Sequence, residues 1–203
     1  FPYSGSAEIT GSLTVTGSLD LAYLSGSTSS PAWSTGGALI TARQGLGGAG
    51  TQDAGLAFGG GQSCTEEYNG SSWSAGGALI TARELLAGAG TQNAGLAFGG
   101  RASGVRLTCT EEYNGTAWST GGALATSRFN LGGAGTQTAG LAFGGQIPTA
   151  VSCTEEYNGS SWTAGGALAT ARYNLAGAGT QTAGLAFGGR SPGTTVSCTE
   201  EYT

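Results

Sequence analysis

Four near-copies of one unit of 40 to 45 residues fill most of this chain, and that repetition limits its possible folds more than any other feature. The tryptophans Trp33, Trp73, Trp118 and Trp162 mark the unit at spacings of 40, 45 and 44. The cysteines Cys64, Cys109, Cys153 and Cys198 mark it again at 45, 44 and 45. A unit this short cannot bury an apolar face alone, so successive units must stack. Periods of this size point to propellers or solenoids.

Each unit divides into four short strands. In the second unit, one strand surrounds Trp73, a small-residue strand falls near residues 86–91, GLAFGG at 95–100 gives the third, and 107–113 the fourth. Asn-Gly follows at Asn69-Gly70, Asn114-Gly115 and Asn158-Gly159, which predicts a type I′ hairpin with positive φ at both central residues. No stretch sustains a 3.6-residue apolar period. The fold class is therefore all-β.

The units resemble kelch repeats. The resemblance lies in the Gly-Gly pair that ends a strand (Gly99-Gly100), the EEYNGSSW spacing of tyrosine to tryptophan, and the arginine of ALATAR (Arg172) before the next strand. It covers residues 31–203 and implies a β-propeller whose blades are four antiparallel strands. Four repeats predict a four-bladed, kelch-like propeller, although larger blade numbers are usual in that family. The repeat region opens on an isolated Trp strand at Pro31-Ala32-Trp33 and stops at CTEEYT. An outermost strand from the beginning is thus expected to complete the last blade and remove an open sheet edge. An open array, or two chains forming one eight-bladed ring, are the alternatives.

Residues 1–30 read differently. TGSL occurs twice, six residues apart, with apolar positions Ile9, Leu13, Val15, Leu19 and Leu21. Strands this short need another surface to pack on. The stretch resembles the repetitive ITGSLxVTGS segments of bacteriophage structural proteins, above all tail-fibre-like ones, which implies an attachment or assembly arm. A leader strand packed on the propeller is the plainer alternative. Phe1 and the lack of methionine suggest a processed or truncated product whose targeting signal is gone.

Composition removes most chemistries. The 203 residues include 41 Gly and 4 Pro, below the level that makes disorder the default. There are seven basic residues, all Arg, against a net charge of −5, so a nucleic-acid partner is not expected. No run of about 18 apolar residues exists to insert in a membrane. Without histidine there is no Ser-His-Asp or Cys-His catalysis and no His-containing metal site, including the copper site of kelch-type oxidases. Without lysine there is no P-loop or Schiff base. The GAGTQ stretches lack the GxGxxG spacing of a phosphate cradle. No cofactor or metal is expected, and no enzyme.

The remaining polar motifs recur with the repeat and read as architecture. Glu66-Glu67, Glu111-Glu112, Glu155-Glu156 and Glu200-Glu201 are adjacent on a strand and face opposite ways, so no pair can flank a glycosidic bond. One Glu of each pair is expected to meet Arg43, Arg83, Arg128 or Arg172 in a structural ion pair. Cysteines at equivalent places in successive blades lie too far apart to bridge, and they lack the close CxxC pairs of zinc sites. They are expected as free, buried thiols, which fit assembly in a reducing compartment. The Asn-Gly-Ser/Thr sequons have a sufficient reason in the turn itself. The tryptophans are expected in the core, each worth on the order of 4–5 kcal/mol gross.

The copies differ in two places: the connection after GLAFGG, and the position after the repeated Arg, occupied by Gln44, Glu84, Phe129 and Tyr173. With the Trp strand outermost and directions alternating, both sets fall at one end of the propeller. A variable end on a uniform scaffold is where recognition resides. Arg101, Arg106, Phe129, Tyr173 and Arg190 form the candidate binding face; neutral drift in unconstrained loops is the competing account. The expected protein is a structural or binding module, a tail-fibre-like virion appendage or surface protein whose arm mediates assembly. Its expected partners are other copies of itself and a cell-surface glycan or receptor. A self-assembling extracellular fibre subunit is the alternative, and a glycan-active enzyme the weakest.

Overall fold

The computed structural model describes residues 32–203, and the arm positions Ile9, Leu13, Val15, Leu19 and Leu21 lie outside the described residues. The chain divides into two compact units, Phe1–Thr35 and Gly36–Thr203. The second unit is all-β and arranged as a four-bladed β-propeller.

The first blade consists of β1 (Leu46–Gly50), β2 (Gly55–Gly59), β3 (Thr65–Tyr68) and β4 (Trp73–Ala75). The second has β5 (Ala87–Thr91), β6 (Ala94–Phe98), β9 (Thr110–Tyr113) and β10 (Trp118–Thr120), with a small hairpin β7 (Arg101–Ala102) and β8 (Val105–Arg106) between its middle strands. The third repeats this as β11 (Gly132–Gly135), β12 (Gly140–Phe143), β15 (Thr154–Tyr157) and β16 (Trp162–Gly165), with hairpin β13 (Gln146–Ile147) and β14 (Thr149–Ala150). The fourth comprises β17 (Ala176–Thr180), β18 (Ala183–Phe187) and β21 (Thr199–Tyr202), with hairpin β19 (Arg190–Ser191) and β20 (Thr194–Thr195). Every sheet is an antiparallel meander from the small-residue strand outward, the Trp strand outermost where present.

Sequence explains which strand lies where. The GLAF strand carries Phe58, Phe98 and Phe143, each buried between sheets. The inner GAG strands meet backbone to backbone. A Cβ on Gly88 would stand 2.6 Å from the Gly48 carbonyl oxygen, and one on Gly133 would stand 2.9 Å from that of Gly88. Glycine is required there because the neighbouring blade occupies the space a side chain would need.

Close packing of inner strands runs from β1 to β5 to β11 to β17 and does not recur between β17 and β1. Gly48 accordingly faces no residue of the fourth blade. The expected completion of the last blade is not found: among the described residues its sheet has three strands, and residues 32–35 lie in no strand, with Trp33 fully exposed. The interface that joins each blade to the next is not formed between the fourth and the first.

The Asn-Gly turn also differs from expectation. Tyr68 pairs with Trp73, so the loop has four residues, and only Gly70 takes positive φ (+89°). Asn69 Oδ1 accepts from the Ser71 and Ser72 amides at 3.0 and 2.9 Å, an Asx turn that replaces the type I′ geometry. The same bonds recur at Asn114 and Asn158.

Candidate binding face

The scaffold under the face is fixed by the repeated arginines. Arg43, Arg83, Arg128 and Arg172 pair with Glu66, Glu111, Glu155 and Glu200 at 2.9 to 3.1 Å, with the guanidinium side chains sealed from solvent. The second carboxylate oxygen accepts from an amide of the preceding connection, Ile40, Ile80, Ala125 or Ala169, at 2.6 to 2.7 Å. One Glu thus anchors both the Arg and the chain that crosses into the blade. The cysteines are free but only half-buried, so they are not the enclosed hydrophobes expected. Their position follows from the arginines, whose Nη1 donates to both the carbonyl and the sulfur of the same cysteine. Burial pushes the Cys109 thiol up, against the lowering influence of Arg83.

The other Glu of each pair faces the next blade. Tyr113, Tyr157 and Tyr202 donate their hydroxyls to Glu67, Glu112 and Glu156 respectively. Burial first, and the carboxylate acceptor second, push the Tyr157 hydroxyl up to about 12, with Tyr113 and Tyr202 moved the same way. Every Glu in the first three EEY segments therefore has a structural partner.

At one end, four short bridges bring the two variable sets together. Gln62 pairs with Arg83, Glu84 with Arg101, Phe129 with Gln146, and Tyr173 with Arg190. The hairpins β7–β8, β13–β14 and β19–β20 rise from this end, so their sequences vary without disturbing the sheets. Arg101 donates Nε to Glu84 at 2.8 Å, and its guanidinium carbon lies 5.3 Å from the Phe129 ring centre. Arg190 stands 6.0 Å from the Tyr173 ring centre. Arg106 lies opposite Arg101 on the hairpin and is exposed. Among the described residues, Arg106 and Arg190 make no ion pair. A groove of about 530 Å³ runs between Glu84, Arg101 and Ser103. Guanidinium groups beside exposed aromatic rings can hold anionic or hydroxyl-rich ligands by charge, hydrogen bonds and ring stacking.

No family model and no curated protein matches this chain. The face must be read from its own geometry.

Sequence reasoning missed what holds the centre of this end. Gly45, Leu85, Asn130 and Asn174, one place beyond the variable position, all take left-handed backbone, with φ of +65°, +55°, +55° and +53°. Leu85 donates its amide to the Gly45 carbonyl at 2.6 Å, Asn130 to Leu85 at 2.8 Å, and Asn174 to Asn130 at 2.9 Å. The result is a ladder across the four blades around an axial depression of about 510 Å³. The signal was present: glycine or asparagine, the residues most tolerant of that conformation, occupies three of the four positions. Equally unread were Gln92, Gln137 and Gln181, each of which reaches back to two carbonyls of the preceding blade.

Proposed function

We propose that this chain is a non-enzymatic recognition and assembly module of kelch-like repeat type, part of a tail-fibre-like virion appendage or other surface protein. The observation that carries the reading is the segregation of sequence variation. The copies diverge where hairpins and aromatic positions meet at one end, and stay nearly constant where blades touch. A uniform scaffold presenting Arg101 with Phe129, and Arg190 with Tyr173, suits a cell-surface glycan or acidic receptor. The engagement of the glutamates by arginine and tyrosine supports a structural role for them over acid–base chemistry. The test is binding of the full chain to glycan arrays and target cells. Phe129→Ala combined with Tyr173→Ala is expected to reduce binding at least about tenfold, the effect of losing one aromatic hot spot. Unchanged binding overturns the recognition face.

A second reading, a self-assembling extracellular fibre subunit, is favoured by the unpaired outer edge of β21. In it residues 1–30 add a strand to a neighbouring copy. Deleting residues 1–30 then abolishes polymerisation, whereas in the first reading surface binding survives the deletion.

A further inference from the structure

Each outer-strand tryptophan spans two blades, and the structure shows what its socket is made of. Trp118 stacks on Tyr113 of its own blade at 4.9 Å and on Phe58 of the preceding blade at 5.0 Å, and donates Nε1 to Thr65 at 2.8 Å. Trp162 repeats this on Tyr157 and Phe98, donating to Thr110 at 2.9 Å. The third member of the series is an open apolar pocket of about 320 Å³ lined by Phe143, Thr154, Ala167, Leu168 and Tyr202. Its Phe, Thr and Tyr are the three residues that clasp an indole elsewhere. At the other end stands Trp33, fully exposed, in the segment AWSTGGAL, which is identical to the segment that begins at Ala117 and contains Trp118.

We infer that the pocket between Phe143, Thr154 and Tyr202 receives Trp33 of a second copy, so that copies join head to tail. The occupant is a copy because the same two ends carry further halves of the blade-to-blade interface. Gln92, Gln137 and Gln181 clip to the preceding blade, and Gln52 is the corresponding residue of the first. Gly184 and Tyr202 of the last blade offer the carbonyls corresponding to those of Gly140 and Tyr157. Tyr68 corresponds to the tyrosines that donate to Glu67, Glu112 and Glu156, and Glu201 is the next acceptor in that series. The left-handed ladder ends with the Asn174 carbonyl at one side and the Gly45 amide at the other. None of these halves has its partner among the described residues. A docked copy would continue every one of them in register, with residues 32–35 adding a fourth strand to β21. Because β17 does not pack on β1, these halves are not joined within one propeller. The interface is heterologous, so copies close into a ring or continue as a filament.

The inference rests on the assembly reading only in taking a copy as partner, and it is separable from it because the inserting strand lies after residue 30. The experiment is sedimentation velocity of the full chain over a wide concentration range. The wild type is expected to associate, and Trp33→Ala to weaken association about a hundredfold, the loss of a central aromatic anchor. Trp33 is exposed, so this substitution leaves the fold intact. Ala167→Arg, also at an exposed position, obstructs the pocket and is expected to have the same effect, with Thr154→Val, which removes the indole's acceptor, giving about a tenfold loss. Mixed in equal amounts, Trp33→Ala and Ala167→Arg chains should form dimers and nothing larger, because each supplies the half the other lacks. A wild type that stays monomeric, a Trp33→Ala chain that assembles as well as wild type, or a mixture without dimers overturns the inference. Loss of assembly on deleting residues 1–30, with Trp33→Ala silent, would sink it while leaving the arm-mediated reading standing.

Discussion

The third and fourth blades have almost the same sequence and very different interiors. Phe143 is 2% exposed and Phe187 is 38% exposed, although both end a GLAF strand with the same neighbours in sequence. Leu141 is enclosed and Leu185 only partly so. What differs is the presence of a following blade. Burial in this protein is supplied by the next repeat and not by the repeat itself, as nearest-neighbour stacking requires.

The strongest way to break the comparison is to truncate the two phenylalanines. Phe143→Ala should lower the unfolding free energy by about 3–5 kcal/mol, and Phe187→Ala by less than half of that, measured by urea titration. Equal losses would mean that each blade is held together internally. Glycines sharpen the contrast from the opposite side. Gly88→Ala drives a methyl into the first blade's backbone and should cost about 1–3 kcal/mol. Gly48→Ala meets nothing closer than 3.6 Å and should stay within about 0.5 kcal/mol of wild type. A smaller effect, of opposite sign, is expected at the axial ladder. Leu85→Gly relieves a left-handed leucine and should raise stability by about 1 kcal/mol, with Leu85→Asn between; thermal unfolding reads both.

The last prediction is one of slope. Tyr157 ties the third blade to Glu112 of the second, and its folded hydroxyl titrates at about 12 against an ordinary value of about 10. A raised acid is stabilised in its neutral form by the fold. The contribution is therefore complete below pH about 10 and disappears as pH rises through about 12. Tyr157→Phe should flatten the loss of stability over that window in alkaline denaturation. An unchanged slope would detach the hydroxyl from the interface.

The strands and their order were legible because pattern and period agree: Trp outermost, GLAF in the middle and small residues innermost follow from what can approach what. The arginine–glutamate pairs were legible because both partners recur in step. The Asn69 loop was not, because its side chain satisfies amides that a tight two-residue turn would otherwise leave to the backbone. The axial ladder depends on φ at Gly45, Leu85, Asn130 and Asn174, and Leu85 conceals it by breaking the residue preference. The meeting of Arg101 with Phe129 could be placed at one end by strand direction, but not as a ring-to-guanidinium contact. Completion of the fourth blade was the hardest to read, since a repeat that fits its neighbour equally well at every step carries no mark of where the series stops.

That sameness bears on how such a chain changes over generations. Recombination between copies would add or remove a whole unit at once. Wherever the exchange fell, Trp would still meet Phe, Thr and Tyr, Gln would still find two carbonyls, and Arg would still find Glu. The number of blades can thus be rewritten in single genetic events that leave every joint intact, whereas the hairpins at the variable end diversify one substitution at a time.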